Sequence, residues 1–278
     1  MPKCPEFSRR LTRLAGFTLA LTSVSLPSLA EPDFSQGRWV DLTHPFNADT
    51  VYWPTEKDFR KTTRFEGVTK GGWYYTAYQI TTAEHGGTHL DAPRHFAEGK
   101  QTADQIPLEH LIGPAIVIRV VSEAALDRDF QIKVHDLKDW EKAHGAIPTG
   151  AIVLFDTGFA KFYPDRIKYM GTDERGSDAV AKLHFPGIHP DAARYLAEER
   201  RIHAVGIDTP SIDFGQSKEF MTHRILFERD IPGFENVANL DQLPAVGAWV
   251  IALPMKIEGG SGGPLRIVAF VPAGSKTD

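Results

Sequence analysis

The chain has 278 residues, 42% of them hydrophobic and 24% charged, with a formal net charge of −5 at pH 7. This is the composition of an ordinary globular protein, long enough to bury a sizeable core without disulfide staples. The acidic balance argues against nucleic acid and anionic membranes as partners.

The first thirty residues read as a signal peptide rather than as part of the fold. Lys3, Arg9, Arg10 and Arg13 form a basic opening, and residues 14–26 are an apolar stretch. Ser28-Leu29-Ala30 then gives small residues at −3 and −1 of a cleavage site before Glu31. The apolar stretch is too short to span a membrane. Ser8-Arg9-Arg10-Leu11-Thr12-Arg13-Leu14 resembles a twin-arginine export motif, so export to the periplasm is expected by the Sec or the twin-arginine route. Removing residues 1–30 takes away four basic residues and one acidic one, Glu6, and moves the net charge from −5 to −8. Cys4, the one cysteine, leaves with this segment, so any metal must be held by nitrogen and oxygen ligands. All eleven histidines remain.

Residues 31–278 read as one α/β domain with a mixed sheet, without repeats, low-complexity segments or a dividing linker. Short apolar runs bounded by Gly and Pro predict strands over 74–82, 115–121, 151–157, 204–207, 249–253 and 265–271. Val134, Leu137 and Trp140 have helical spacing, which predicts a helix over 134–144. Pro190, with Asp191 behind it and an Ala/Leu/Glu/Arg-rich run to about Arg201, predicts a second helix. Residues 222–227 suit a short helical segment, and 171–188 read as an irregular excursion.

The chemistry concentrates between residues 84 and 95. There the sequence runs Glu84-His85-Gly86-Gly87-Thr88-His89-Leu90-Asp91-Ala92-Pro93-Arg94-His95. Gly86, Gly87 and Pro93 disfavour a helix, so this is a strand end running into a loop. On such a bend His85, His89 and Asp91 can converge on one point, and imidazole with carboxylate suits zinc, manganese or iron(II). A divalent cation can polarise a carbonyl and activate water at neutral pH. A hydrolase also needs a proton shuttle not consumed as a ligand, and His95 is placed for that role, with a fourth ligand as its alternative.

This run resembles the cyclase family of metal hydrolases, which includes bacterial kynurenine formamidases and isatin hydrolases. The family pattern His-x-Gly-Thr-His-x-Asp-x-Pro-x-His is matched from His85 to His95 without a gap. Gly206-Ile207-Asp208-Thr209-Pro210-Ser211-Ile212-Asp213 is similar to a second family block, and Thr222-His223-Arg224 followed by Glu235-Asn236 to a third. The resemblance implies that His85, His89 and Asp91 hold one metal. It implies that Asp91 bridges to a second metal completed by His223 and Glu235, with Glu235 able to touch both, and that His95 is the acid/base. It further implies one or two ions of Mn2+ or Zn2+, a swivelling β/β/α-type domain and a homodimer or higher homo-oligomer. Gln216, on the loop before His223, is a candidate extra ligand or substrate contact.

Tyr52-Trp53-Pro54 is similar to a family segment whose aromatic residue lines the substrate pocket, and makes Trp53 the leading contact. Phe65, Trp73, Tyr75 and Phe214 add aromatic candidates suited to a flat aryl substrate. The aromatic lead-in, the 84–91 run and Ile231-Pro232-Gly233-Phe234-Glu235-Asn236 look closer to isatin hydrolases than to the shorter formamidases. Together with the export signal they favour ring-opening of a cyclic amide such as isatin over an arylformamidase acting on N-formylkynurenine-type substrates. Two other classes compete. A non-catalytic periplasmic metal-binding protein would need neither His95 nor an aromatic pocket. A serine hydrolase is suggested by Gly259-Gly260-Ser261-Gly262-Gly263, but that elbow requires a helix after the serine, and Pro264 with a strand-like run follows instead.

Overall fold

The computed structural model describes residues 32–275; the expected signal peptide lies outside the described residues. In chain order the strands are β1 (Gly37–Asp41), β2 (Arg60–Val68), β3 (Tyr74–Thr81), β4 (His89–Asp91), β5 (Ile112–Arg119), β6 (Gln131–Ile132), β7 (Ile152–Asp156), β8 (Gly187–Ile188), β9 (Ala204–Ile207), β10 (Gly233–Glu235), β11 (Val246–Pro254) and β12 (Gly262–Pro272). One eight-stranded sheet runs β1-β12-β11-β5-β7-β9-β10-β4 and closes on itself because β4 also pairs with β12. β5, β7, β9 and β10 are parallel neighbours, and the remaining pairings are antiparallel. This is a single-domain α/β fold with a mixed sheet, in line with the sequence reading; the closure into a barrel is the feature that reading lacked.

β5, β7 and β9 are apolar runs because both of their faces are covered. Ile116, Ile118, Val153, Phe155, Val205 and Ile207 point to the helical side, where they pack with Leu137, Trp140 and Leu196. The alternate residues Ala115, Val117, Ile152, Leu154 and Ala204 point into the barrel with Leu90, Phe234, Ala252 and Ile267. A third cluster, including Val51, Phe159, Tyr169, Met170 and Phe185, lies under the loops beside the site.

The helix Val134–His144 forms where its spacing predicts it, with Asp136 accepting from the Lys133 N–H and the Trp140 indole donating to the Val117 carbonyl. The helix begun by Pro190 is α-helical to Arg194 and then widens into π turns over Tyr195–Arg200. Residues five apart come alongside in such turns. Tyr195 and Arg200 accordingly both reach the Glu141 carboxylate. The segment 171–188 contains a short helix, Ser177–Val180, and the small strand β8. Strand β3 forms as expected but outside the main sheet. Among the described residues it pairs only with β2, in a hairpin that leaves Trp73, Tyr74, Tyr75 and Ile80 exposed.

Candidate active site

Two of the shortest strands carry the site. In β4, His89 and Asp91 are two residues apart and therefore share a face. β10 pairs antiparallel with β4 in a register that sets Glu235 opposite His89 and Gly233 opposite Asp91. The glycine bend at residues 86–87 swings His85 in from one side, and the helix Met221–Phe227 brings His223 from the other. The result is a buried cluster. His85 Nδ1 lies 2.6 Å from Asp91 Oδ1, and His89 Nε2 lies 3.1 Å from the same oxygen and 3.4 Å from Glu235 Oε2. His223 Nε2 lies 3.1 Å from Asp91 Oδ2 and 3.2 Å from Glu235 Oε1. The structure thus brings together all five sequence-predicted ligands, in two groups that share Asp91.

Each imidazole is oriented through its other nitrogen. His89 Nδ1 donates to the Gly87 carbonyl (3.0 Å), which also accepts from the Asn236 amide (2.8 Å). His223 Nδ1 sits 2.6 Å from Asp213 Oδ2, and Asp213 also accepts the Thr222 and His223 backbone N–H groups. His85 Nε2 meets the hydroxyl of Ser261 at 2.9 Å. Glu235 accepts the Ile212 N–H at 2.8 Å.

The electrostatics suit a cation. Burial disfavours the charge on Asp91, but His85 and His89 beside it hold its carboxyl well below the usual range. Burial and the nearby Asp91 push Glu235 up. Burial opposes protonation of His89, yet Asp91, Glu235 and the Gly87 carbonyl win and raise it to about 9. His223 is raised as well, against burial, by Asp213, Asp91 and Glu235. Two buried carboxylates facing one another demand positive charge between them. His89 Nε2 is buried, aimed into the cluster and without a hydrogen-bond partner. An orphaned imidazole nitrogen between two carboxylates is what a metal ligand looks like, and the residues fit a divalent ion.

His95, four residues beyond Asp91, is not among the five. Its ring stacks on His85 at 3.8 Å between centroids and faces the pocket. Desolvation by the surrounding protein pushes it down, to about 4; Asp91 pulls the other way, and the neighbouring imidazoles add to the push. His95 is exposed at the pocket, and the downward shift leaves a neutral imidazole at pH 7.

In front of the cluster opens a pocket of about 240 Å³ whose apolar wall includes Tyr52, Trp53, Phe96, Pro210 and Phe220. Trp53 lies where the sequence reading put it. Other aromatic candidates do not. Phe65 and Trp73 sit on the exposed β2–β3 hairpin, which pairs with nothing else among the described residues. Phe214 is outside the pocket lining because the chain after Asp213 turns away, with the Phe214 backbone against Gly187. The Gln216 amide donates to the carbonyls of Ala181 (3.3 Å) and Leu183 and reaches no ligand. The sequence reading missed Phe96 and Phe220. Phe96 directly follows His95, and that adjacency was the available signal. Phe220 precedes the His223 helix in a left-handed conformation that no local pattern announces.

Ser261 sits in the turn between β11 and β12, and a strand rather than a helix follows it, as expected against a nucleophile elbow. The structure does place a histidine, His85, beside it. The Ser261 hydroxyl proton, however, goes to Glu84 Oε2 at 2.6 Å.

A closed mixed barrel with imidazole and carboxylate ligands at the base of an aromatic pocket defines the class, a metal-dependent hydrolase. Comparison with known proteins narrows it. The chain belongs to the cyclase family, whose model, "Cyclase", matches residues 40–214. An isatin hydrolase of Roseibium aggregatum is 33% identical over 84% of this chain and 91% of its own length. A kynurenine formamidase of Bacillus thuringiensis is 29% identical over 83% of this chain and 96% of its own. Among solved structures, an isatin hydrolase bound to the product analogue thioisatinate superposes with a TM-score of 0.77 at 31% identity, covering 86% of this chain and 94% of that one.

Proposed function

We propose that this protein opens a small aromatic cyclic amide with water, with isatin as the model substrate and isatinate as the product. One observation carries the reading: five ligands, four of them buried and His85 half-buried, converge at the base of an aromatic pocket while a sixth group, His95, stays free and neutral beside them. His85, His89 and Asp91 would hold one ion, and Asp91, His223 and Glu235 a second, of Mn2+ or Zn2+. Such an ion supplies Lewis acidity, polarising the carbonyl and lowering the pKa of a water. The chain's own groups do the rest. Trp53, Phe96 and Phe220 pack on one another into an apolar wall against which a flat ring can lie, shielded from bulk water. His95 takes a proton from the attacking water and returns it to the nitrogen as the C–N bond breaks. Water supplies the oxygen of the new carboxylate, and the ring nitrogen leaves as an arylamine.

The kynurenine formamidase relatives support a second reading, an arylformamidase that would use the same groups on an open-chain amide. Hydrolysis of isatin and of N-formylkynurenine, followed by absorbance with metal content measured on the same sample, separates the two. Isatin is expected to be consumed faster, activity to vanish with a chelator, and Mn2+ or Zn2+ to restore it. Metal-replete protein that hydrolyses neither compound would sink the proposal and favour the non-catalytic metal carrier.

The protein is further proposed to be periplasmic and homo-oligomeric. The basic, apolar and small-residue order of residues 1–30 supports the first. Fractionation of cells making the full chain should recover protein beginning at Glu31 from the periplasm. Recovery of uncleaved chain in the cytoplasm would refute it. The exposed apolar residues of the β2–β3 hairpin support the second.

A further inference from the structure

The glycine-rich segment 259–263 is the one motif of the sequence that the hydrolytic reading leaves unused, and the structure folds it onto a metal ligand. Ser261 Oγ lies 2.9 Å from His85 Nε2 and 2.6 Å from Glu84 Oε2, and the Ser261 N–H donates to the same Glu84 oxygen at 3.0 Å. A hydroxyl has one hydrogen. Glu84 Oε2 already accepts the Ser261 N–H, and the serine proton points to that same acceptor oxygen. Towards His85 the serine oxygen can then only accept, and the proton on that side of the ring must be on Nε2. With a metal in the cluster, the opposite nitrogen, Nδ1, 2.6 Å from Asp91 Oδ1, is then the one that offers its lone pair to the ion.

The loop is shaped for this contact. A Cβ on Gly262 would stand 2.6 Å from the His85 ring and 2.5 Å from the Leu90 carbonyl oxygen. A Cβ on Gly260 would stand 3.2 Å from Glu84 Oε1. Glycines on both sides of the serine therefore let the backbone close on the His85–Glu84 pair. Pairing of Gly262 with Asp91 across β12 and β4 fixes the turn against the ligand strand. His95 stacks on the ring of His85.

Resting on the metal reading of His85, we propose that Ser261 and Glu84 form a positioning relay that locks His85 in its Nε2–H tautomer and commits Nδ1 to the metal. His89 and His223 need no such device, since a carbonyl and a carboxylate are acceptors by nature. A hydroxyl can face either way, and Glu84 decides which. Ser261 is thus a support for a ligand and not a nucleophile.

The test titrates Mn2+ into metal-stripped protein and follows free Mn2+ by electron paramagnetic resonance. Ser261→Ala and Glu84→Gln are each expected to weaken binding about 10- to 100-fold, the usual cost of removing a group that orients a metal-bound histidine. The double variant should be little worse than Ser261→Ala alone, because the two residues act through one hydrogen bond. The loss should sit in metal affinity rather than in turnover per bound ion, whereas a nucleophilic serine would lose turnover at every metal concentration. Imidazole 15N spectra of the Zn2+-loaded protein should show His85 protonated at Nε2. Wild-type affinity in both variants, with unchanged melting temperatures of the stripped proteins, would overturn the relay while leaving the metal site intact. Absence of Mn2+ binding by the wild type would instead overturn the metal reading and the relay with it.

Discussion

His95 is the residue on which catalysis and mere metal binding part company. It carries no ligand contact, yet lies against His85 and opens onto the pocket. Burial leaves it unprotonated at neutral pH, with a nitrogen lone pair free to accept a proton from the attacking water. His95→Ala should therefore lower kcat by about 10²–10⁴, the usual worth of a positioned acid/base. Bound metal should stay at the wild-type level, as measured by elemental analysis of the purified variant. A variant stripped of metal would make His95 a ligand instead. This residue and its five neighbours were legible in the sequence for unequal reasons. His85, His89, Asp91 and His95 fall within eleven positions, so their spacing alone limits how far apart they can be. His223 and Glu235 are more than a hundred residues away, and only the resemblance tied them to the cluster. Phe65, Trp73, Phe214 and Gln216 were chosen by side-chain type and closeness in sequence. The contacts that decide their places are tertiary, and composition carries no trace of them.

The same contrast holds for whole elements. β5, β7 and β9 are visible as apolar runs because a strand covered on both faces has no polar side to show. β4 and β10, which carry three of the five ligands, escape notice. They read His-Leu-Asp and Gly-Phe-Glu, each with a single large apolar side chain. Three residues are too few to set a period. Both belong to the sheet because of where their neighbours hold them: β4 is clamped between β10 and β12, and β10 follows β9 in parallel. The closure of the barrel and the assembly of the ligand cluster are thus one event. A strand that gives its alternate positions to ligand side chains on the face away from the barrel interior cannot also announce itself by hydrophobicity. The site is accordingly hardest to see where it is most firmly built.

At the scale of the molecule, the β2–β3 hairpin is the part that does not pay its way within one chain. A two-stranded ribbon is marginal in water, and this one buries little: Val68 is 69% exposed, Trp73 63% and Tyr74 62%. Contiguous apolar surface of this kind marks an interaction site. Its two strands pair with each other apart from a bulge at Arg64, and each outer edge offers unpaired backbone groups to another strand. A second copy of the chain is the partner proposed, and sedimentation at micromolar concentration should give a multiple of the monomer mass. Tyr74 and Ile80 are an even number of residues apart and share one face of β3. The double variant Tyr74→Asp, Ile80→Asp should place charge in that contact and shift the protein to monomer. The active-site cluster lies on strands that do not pair with the hairpin, so the variant should bind Mn2+ as tightly as the wild type. A wild type that sediments as a monomer, or a variant that stays assembled, would remove the hairpin from the interface.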